Sequence, residues 1–150
     1  MRLTLGTDYA LRTLIYLGTN AGRLTTIAEI AQSFAISKTH LMKVVNRLGQ
    51  QGYLEPVRGK GGGLRLGKPP DRINLGAVVR DTEEDLAVMG CLSGKGFCRI
   101  EGCCVLRRAL REATDAFLRT LDGYTLADLL VPRAKLARSL GLAPEAPPAA

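Results

Sequence analysis

The stretch TIAEIAQSFAISKTHLMKVVNRLGQQG, residues 26–52, decides the fold. It opens on Thr26-Ile27-Ala28-Glu29, a capping box in which a threonine hydroxyl and a glutamate three residues on satisfy each other's backbone donors. Ile30, Ala31 and Phe34 follow at helical spacing, so a helix of about two turns is expected, then a tight turn through Ala35 and Ile36. Ser37 stands where the next helix needs a cap. Leu41, Val44, Val45 and Leu48 then recur at i, i+3, i+4 and i+7, until Gly52 offers a left-handed C-terminal cap. Short helix, tight turn and longer helix make a helix-turn-helix. With the apolar stripe turned inward, Thr39, Lys43, Asn46 and Gln50 face out, flanked by Lys38, His40 and Arg47. Such a face serves a solvated helix or a nucleic-acid surface equally well, and the next segment separates the two.

Tyr53-Leu54-Glu55-Pro56-Val57 and Leu64-Arg65-Leu66 read as short strands joined by Arg58-Gly59-Lys60-Gly61-Gly62-Gly63, a β-hairpin with a glycine-rich, cationic tip. After a helix-turn-helix this is a wing, and Arg58 and Lys60 are placed to contact phosphates beside the groove. A nucleotide cradle is disfavoured, because the loop lacks the lysine-serine/threonine ending of a P-loop. Ser37, Lys38, Thr39, His40, Lys43 and Arg47 are the expected contacts of the longer helix to bases or backbone. His40 is the only histidine, and its place on that helix makes a DNA or solvent contact the simpler role.

The chain of 150 residues, 46% of them hydrophobic, has a net charge of +7. That length suits one small domain plus an accessory segment, and the charge favours an anionic partner. Leu11, Leu14, Ile15 and Gly18 mark a first helix over about residues 8–18, with Thr7 as its cap and Asp8 in its first turn, where a carboxylate suits the helix dipole. Asp8 and Arg12 interrupt the apolar residues, so no secretory leader is expected, and no apolar run is long enough to span a membrane. The expected location is the cytoplasm.

Pro69 and Pro70 break the chain. Leu75, Val78 and Val79 then give a short helix ending among Asp81, Glu83, Glu84 and Asp85, an acidic run expected to be a solvated connection. All four cysteines, Cys91, Cys98, Cys103 and Cys104, lie in the next stretch. Six residues separate Cys91 from Cys98 and five separate Cys98 from Cys104, wider than the gaps usual for a structural zinc pair. An iron-sulfur cluster tolerates such spans, while zinc, disulfides or spare thiols remain open, the disulfides disfavoured in a reducing compartment. A helix of about four turns follows, with Leu106, Leu110, Ala113, Phe117 and Leu121 on one side. A winged helix is too compact to cover that stripe, so a homodimer is expected. Thr125 caps a short helix through Leu130. The organisation expected is therefore a mainly α fold with a small β-hairpin wing: a winged helix-turn-helix over 1–82, a cysteine loop over 83–104, a dimerisation helix and short helix over 105–131, and a mobile tail over 132–150.

Thr7-Asp8-Tyr9-Ala10-Leu11-Arg12, the helix-turn-helix, the wing from Arg58 to Pro69, the cysteine loop and Asp122-Gly123-Tyr124-Thr125-Leu126-Ala127-Asp128-Leu129 together resemble the NsrR family. These are nitric-oxide-sensing repressors within the IscR-like winged-helix iron-sulfur regulators, and the resemblance covers about residues 1–131. It implies a dimer on double-stranded, palindromic operator DNA that nitric oxide releases, with one cluster per subunit, 4Fe–4S favoured over 2Fe–2S. The implied ligands are Cys91, Cys98 and Cys104, with Asp8 from the other subunit. Cys104 is favoured over Cys103 because Leu106 follows it by two residues. Arg107 stands where IscR-like members carry a histidine. The alternatives are an IscR-like sensor of cluster supply or redox state and, from another class, a thiol redox protein. Against the latter stand the lack of a Cys-x-x-Cys pair and of a catalytic histidine.

Overall fold

The computed structural model describes residues 2–94 and 98–142. Helix α1 (Leu5–Thr19) is the central element. Around it stand α2 (Ile27–Phe34), α3 (Lys38–Gln50), the hairpin β1 (Leu54–Val57) and β2 (Gly63–Leu66), α4 (Leu75–Thr82), α6 (Leu126–Leu129) and α7 (Arg133–Ser139). The remaining helix, α5 (Val105–Asp122), packs against α4. The core is formed by Ala10, Leu14 and Leu17 of α1 against Ile30, Leu41, Leu48, Ile73, Val78 and Leu126. Each buried Leu, Ile or Val side chain among them contributes roughly 1.5–3 kcal/mol, enough to hold helices too short to persist alone.

The expected local signals act where the sequence places them. Thr26 and Glu29 form both halves of the capping box that starts α2. Gly52 follows α3 with φ +74°. In the α2–α3 turn Ala35 takes the left-handed conformation (φ 52°, ψ 42°), which lets the Ile36 amide reach the Ala31 carbonyl at 2.9 Å and buries the Ile36 side chain. Strands β1 and β2 pair antiparallel, Leu54 opposite Leu66 and Val57 opposite Gly63. Thr25 adds a bridge to Leu64 on the free edge of β2, tying the wing to the start of the helix-turn-helix. A Cβ at Gly62 would run into the Val57 carbonyl oxygen, so the wing tip can close only with glycine there.

Four expectations are corrected. Thr4, not Thr7, caps α1: its hydroxyl accepts from the Thr7 amide at 3.3 Å. Thr7 is instead fully buried and donates to the Thr82 hydroxyl at 2.9 Å. Ser37 occupies the cap position of α3 without a side-chain capping bond. Glu83 is not part of a solvated run: it is 8% exposed and accepts from the Thr4 amide at 2.7 Å. Finally, the segment after Pro132 is not wholly a tail. It forms α7, and Leu140 and Leu142 pack against the core because alternating apolar side chains find an open face of α1 and α2. Residues 143–150 of the expected tail, and Lys95 to Phe97 of the cysteine loop, lie outside the described residues.

Candidate functional site

Two features concentrate chemistry: the face shared by α3 and the wing, and the segment from Glu84 to Cys104. Helix α3 buries Leu41, Val45 and Leu48, which leaves Ser37, Lys38, Thr39, His40 and Lys43 exposed at its N-terminal half. Arg47 lies half-buried one turn further on, and Arg58 and Lys60 are exposed at the wing tip. Lys38 sits in the first turn of α3, which has no acidic residue. A cation at a helix N-terminus opposes the macrodipole at a cost of about 0.3–1 kcal/mol, so its presence points to an anion brought from outside. The free amides of an uncapped first turn point the same way.

Charge pairing across the chain sharpens this. Asp8 pairs with Arg12 at 2.9 Å, Glu55 with Arg65 at 2.9 Å, Asp122 with Arg80 at 2.6 Å and Glu101 with Arg107 at 2.8 Å. Glu29 is held by Arg23 and by the Thr26 amide, which bring its carboxyl down from 4.5 to about 2. Five acids are thus held by cations within the fold. Lys38, Lys43, Arg47, Arg58 and Lys60 form no ion pair with any described residue. Between α3 and β1 runs a groove of about 880 Å³, with Ile27, Val45, Met42 and Pro56 as its apolar lining and Lys43, Asn46, Gln50 and Arg58 as its polar one. Met42, 52% exposed, is a surface residue that the helical pattern skipped, being one position past the buried Leu41.

The last turn of α4 joins this surface to the cysteine segment. The Asp81 carbonyl accepts from Gln51 at 2.7 Å, and its carboxylate accepts from the Tyr53 hydroxyl, whose pKa burial and Asp81 push up. Thr82 and Glu83 hold Thr7 and Thr4 of α1, so one turn of helix grips both the recognition unit and the start of α1. The cysteines begin eight residues further on. Their segment is built from local turns, such as Leu92 to Met89, Ser93 to Gly90, Glu101 to Cys98 and Cys103 to Ile100. Cys103 is exposed, whereas Cys91, Cys98 and Cys104 are half-buried.

Within one chain the expected ligands do not converge: among the described residues no three of His, Cys, Asp and Glu stand close enough to hold a metal ion. Asp8, on the exposed side of α1, is engaged by Arg12. The donors themselves fit a cluster. Cys104 is the N-cap residue of α5 and its sulfur accepts from the Arg107 amide at 3.4 Å, at the positive end of the helix dipole. The neighbouring Arg107 Nε is buried with no acceptor among the described residues, an orphan donor one turn from Cys104. Arg107 itself is turned to Glu101.

No helix among the described residues is long and apolar enough to cross a membrane. Comparison with known proteins agrees with the DNA-facing geometry. The HTH-type transcriptional regulator NsrR of Bacillus subtilis is 51% identical over 132 residues, covering 87% of this chain and 90% of the relative. Its namesake in Geobacillus kaustophilus is 52% identical over 142 residues, covering 93% and 96%. Among solved structures, CymR, the global cysteine regulator of B. subtilis, superposes with a TM-score of 0.62 at 28% identity, covering 86% of this chain and 95% of CymR. Residues 3–132 match the Rrf2 family, described as iron-dependent transcriptional regulators. With its helix-turn-helix, its unpaired cationic face and relatives that are regulators rather than enzymes, the chain belongs to the Rrf2 family of transcriptional regulators.

Proposed function

We propose that the protein is a cytoplasmic homodimeric repressor that holds a palindromic operator and releases it in response to nitric oxide sensed at an iron-sulfur cluster, 4Fe–4S in preference to 2Fe–2S. The observation that carries the DNA half is the set of five cations gathered on α3 and the wing, none of them in an ion pair with a described residue. Ser37, Thr39 and His40 are exposed at the start of α3 and would touch base edges or backbone. Lys38, Lys43, Arg47, Arg58 and Lys60 would neutralise phosphate, which positions the protein without reading sequence. The dimer half rests on α5, none of whose residues is buried in the single chain and whose Val105 and Leu106 are 65% and 57% exposed. Its stripe of Leu106, Leu110, Ala113, Phe117 and Leu121 is covered best by its own copy.

The sensing half rests on the donor set, on relatives at about half identity that carry the NsrR name, and on the iron-dependent description of the family. Cys91, Cys98 and Cys104 of one chain with Asp8 of the partner subunit would hold the cluster, whose iron supplies the reaction with nitric oxide. What the chain does around it follows from its own bonds. Glu83 ties the root of the cysteine segment to the cap of α1, α1 packs on α3, and Asp81 ties the same turn to Tyr53 and Gln51. A displaced cysteine segment therefore pulls on the elements that position α3. Arg107 occupied by Glu101 favours this reading over the IscR-like one, since no histidine stands at that place. The test is Asp8→Ala, loaded anaerobically: an altered nitric oxide response is expected, and an unchanged response removes Asp8 from the site.

A further inference from the structure

We propose that Asn74, Gly76, Arg80 and Asp122 form a rigid joint between α4 and the end of α5, and that this joint sets the angle of the dimer helix and hence the half-site spacing the protein accepts. It rests on the reading of α5 as the dimer contact. Asn74 serves two helices with one amide. Its Oδ1 accepts from the Ala77 amide at 3.0 Å and caps α4, while its Nδ2 donates to the carbonyls of Asp122 at 2.7 Å and Tyr124 at 3.3 Å, closing the end of α5. The Leu75 amide donates to the Tyr124 carbonyl at 3.0 Å, and the Leu126 amide to the Ile73 carbonyl at 2.8 Å. Arg80 then grips Asp122 with two parallel bonds of 2.6 and 2.7 Å, a fork that fixes orientation as well as distance.

Two features make this arrangement specific. Asp122 is the last residue of α5, where a carboxylate meets the negative end of the helix dipole. Helix propensity does not account for it; Arg80 does, and holds its carboxyl below the usual range. Gly76 lies directly beneath: a Cβ there would run into Asp122 Oδ1. The fork in this geometry closes over a position of α4 that carries no side chain.

From the joint, α5 projects as a lever. Eighteen residues span about 27 Å at roughly 1.5 Å each. A tilt of about 7° at the joint moves the far end by about 3.4 Å, the rise of one base pair. Since paired recognition helices must meet half-sites about one helical turn apart, a loosened joint tolerates spacings that a rigid one rejects.

The probe is a duplex palindrome selected by the wild-type protein from a random library, with versions carrying one base pair more or fewer at the centre. Wild type is expected to prefer the selected spacing at least about tenfold. Asp122→Ala and the isosteric Asp122→Asn should shrink that preference to within about threefold while sedimentation still shows a dimer. Gly76→Ala, whose Cβ meets both Asp122 Oδ1 and Arg80 Nη1, should act like them alone and add nothing in the Asp122→Ala background, where the fork is already open and Arg80 is free to move aside. A dimeric Asp122→Asn protein with undiminished spacing preference overturns the joint. A wild-type protein that sediments as a monomer on its selected operator overturns the reading of α5, and the joint with it.

Discussion

Removing the two wing cations, Arg58→Ala with Lys60→Ala, should change the salt dependence of operator binding by a calculable amount. Five cations on α3 and the wing lack partners among the described residues, ten in a dimer. If all ten neutralise phosphate, log affinity falls with log salt at a slope of about −9; removing four reduces it to about −5.4. Between 50 and 200 mM salt the wild type would then lose about 10⁵-fold in affinity and the variant about 10³-fold. Both residues are exposed at the hairpin tip, so the thermal midpoint should stay put, a surface change being worth within about 0.5 kcal/mol. Fluorescence anisotropy on the selected palindrome, titrated across that salt range, reads both slopes. An unchanged slope with weakened binding would mean that the wing acts by shape rather than charge, and would refute the electrostatic reasoning.

Other consequences are smaller in scope. Ala35→Gly relieves a left-handed alanine and should raise stability by about 0.5–1 kcal/mol, seen as a higher melting midpoint. Glu29, bonded to Arg23 and Thr26, titrates near 2 when folded against 4.5 when free. Its contribution is therefore complete above pH 4.5 and is lost as pH falls toward 2. Glu29→Gln should lower stability at neutral pH by about 1 kcal/mol, discounted for its partial exposure, and should flatten acid unfolding in that window. Leu106→Glu places a charge on the exposed stripe of α5; sedimentation should show monomers with an unchanged melting profile at low concentration, and the operator should be bound more weakly.

The helix-turn-helix and wing were legible because their signals are local. The Thr26–Glu29 box, the apolar stripe of α3 and the glycines of the wing each act within a few residues of themselves. The start of α1 was not legible, since Thr4 and Thr7 are both competent caps and only the distant Thr82 and Glu83 decide between them. Glu83 read as one more acid in a charged run, because nothing in its neighbours announces that α1 begins beside it. Helix α7 was obscured by alanine, proline and arginine, its order coming from Leu140 and Leu142 against a surface made elsewhere. For the cysteines, the sequence offered the donors and the spacing, whereas the described residues of one chain do not bring them together.

We propose that an inorganic centre on the cysteine segment is what holds the protein on its operator. The most direct test is operator affinity of anaerobically prepared protein, with iron and acid-labile sulfide counted per chain, before and after stoichiometric nitric oxide. Iron and sulfide present in cluster proportion, with affinity that collapses on exposure to the gas, is the predicted result. Protein free of iron and sulfide that binds the operator equally well with and without nitric oxide would contradict it.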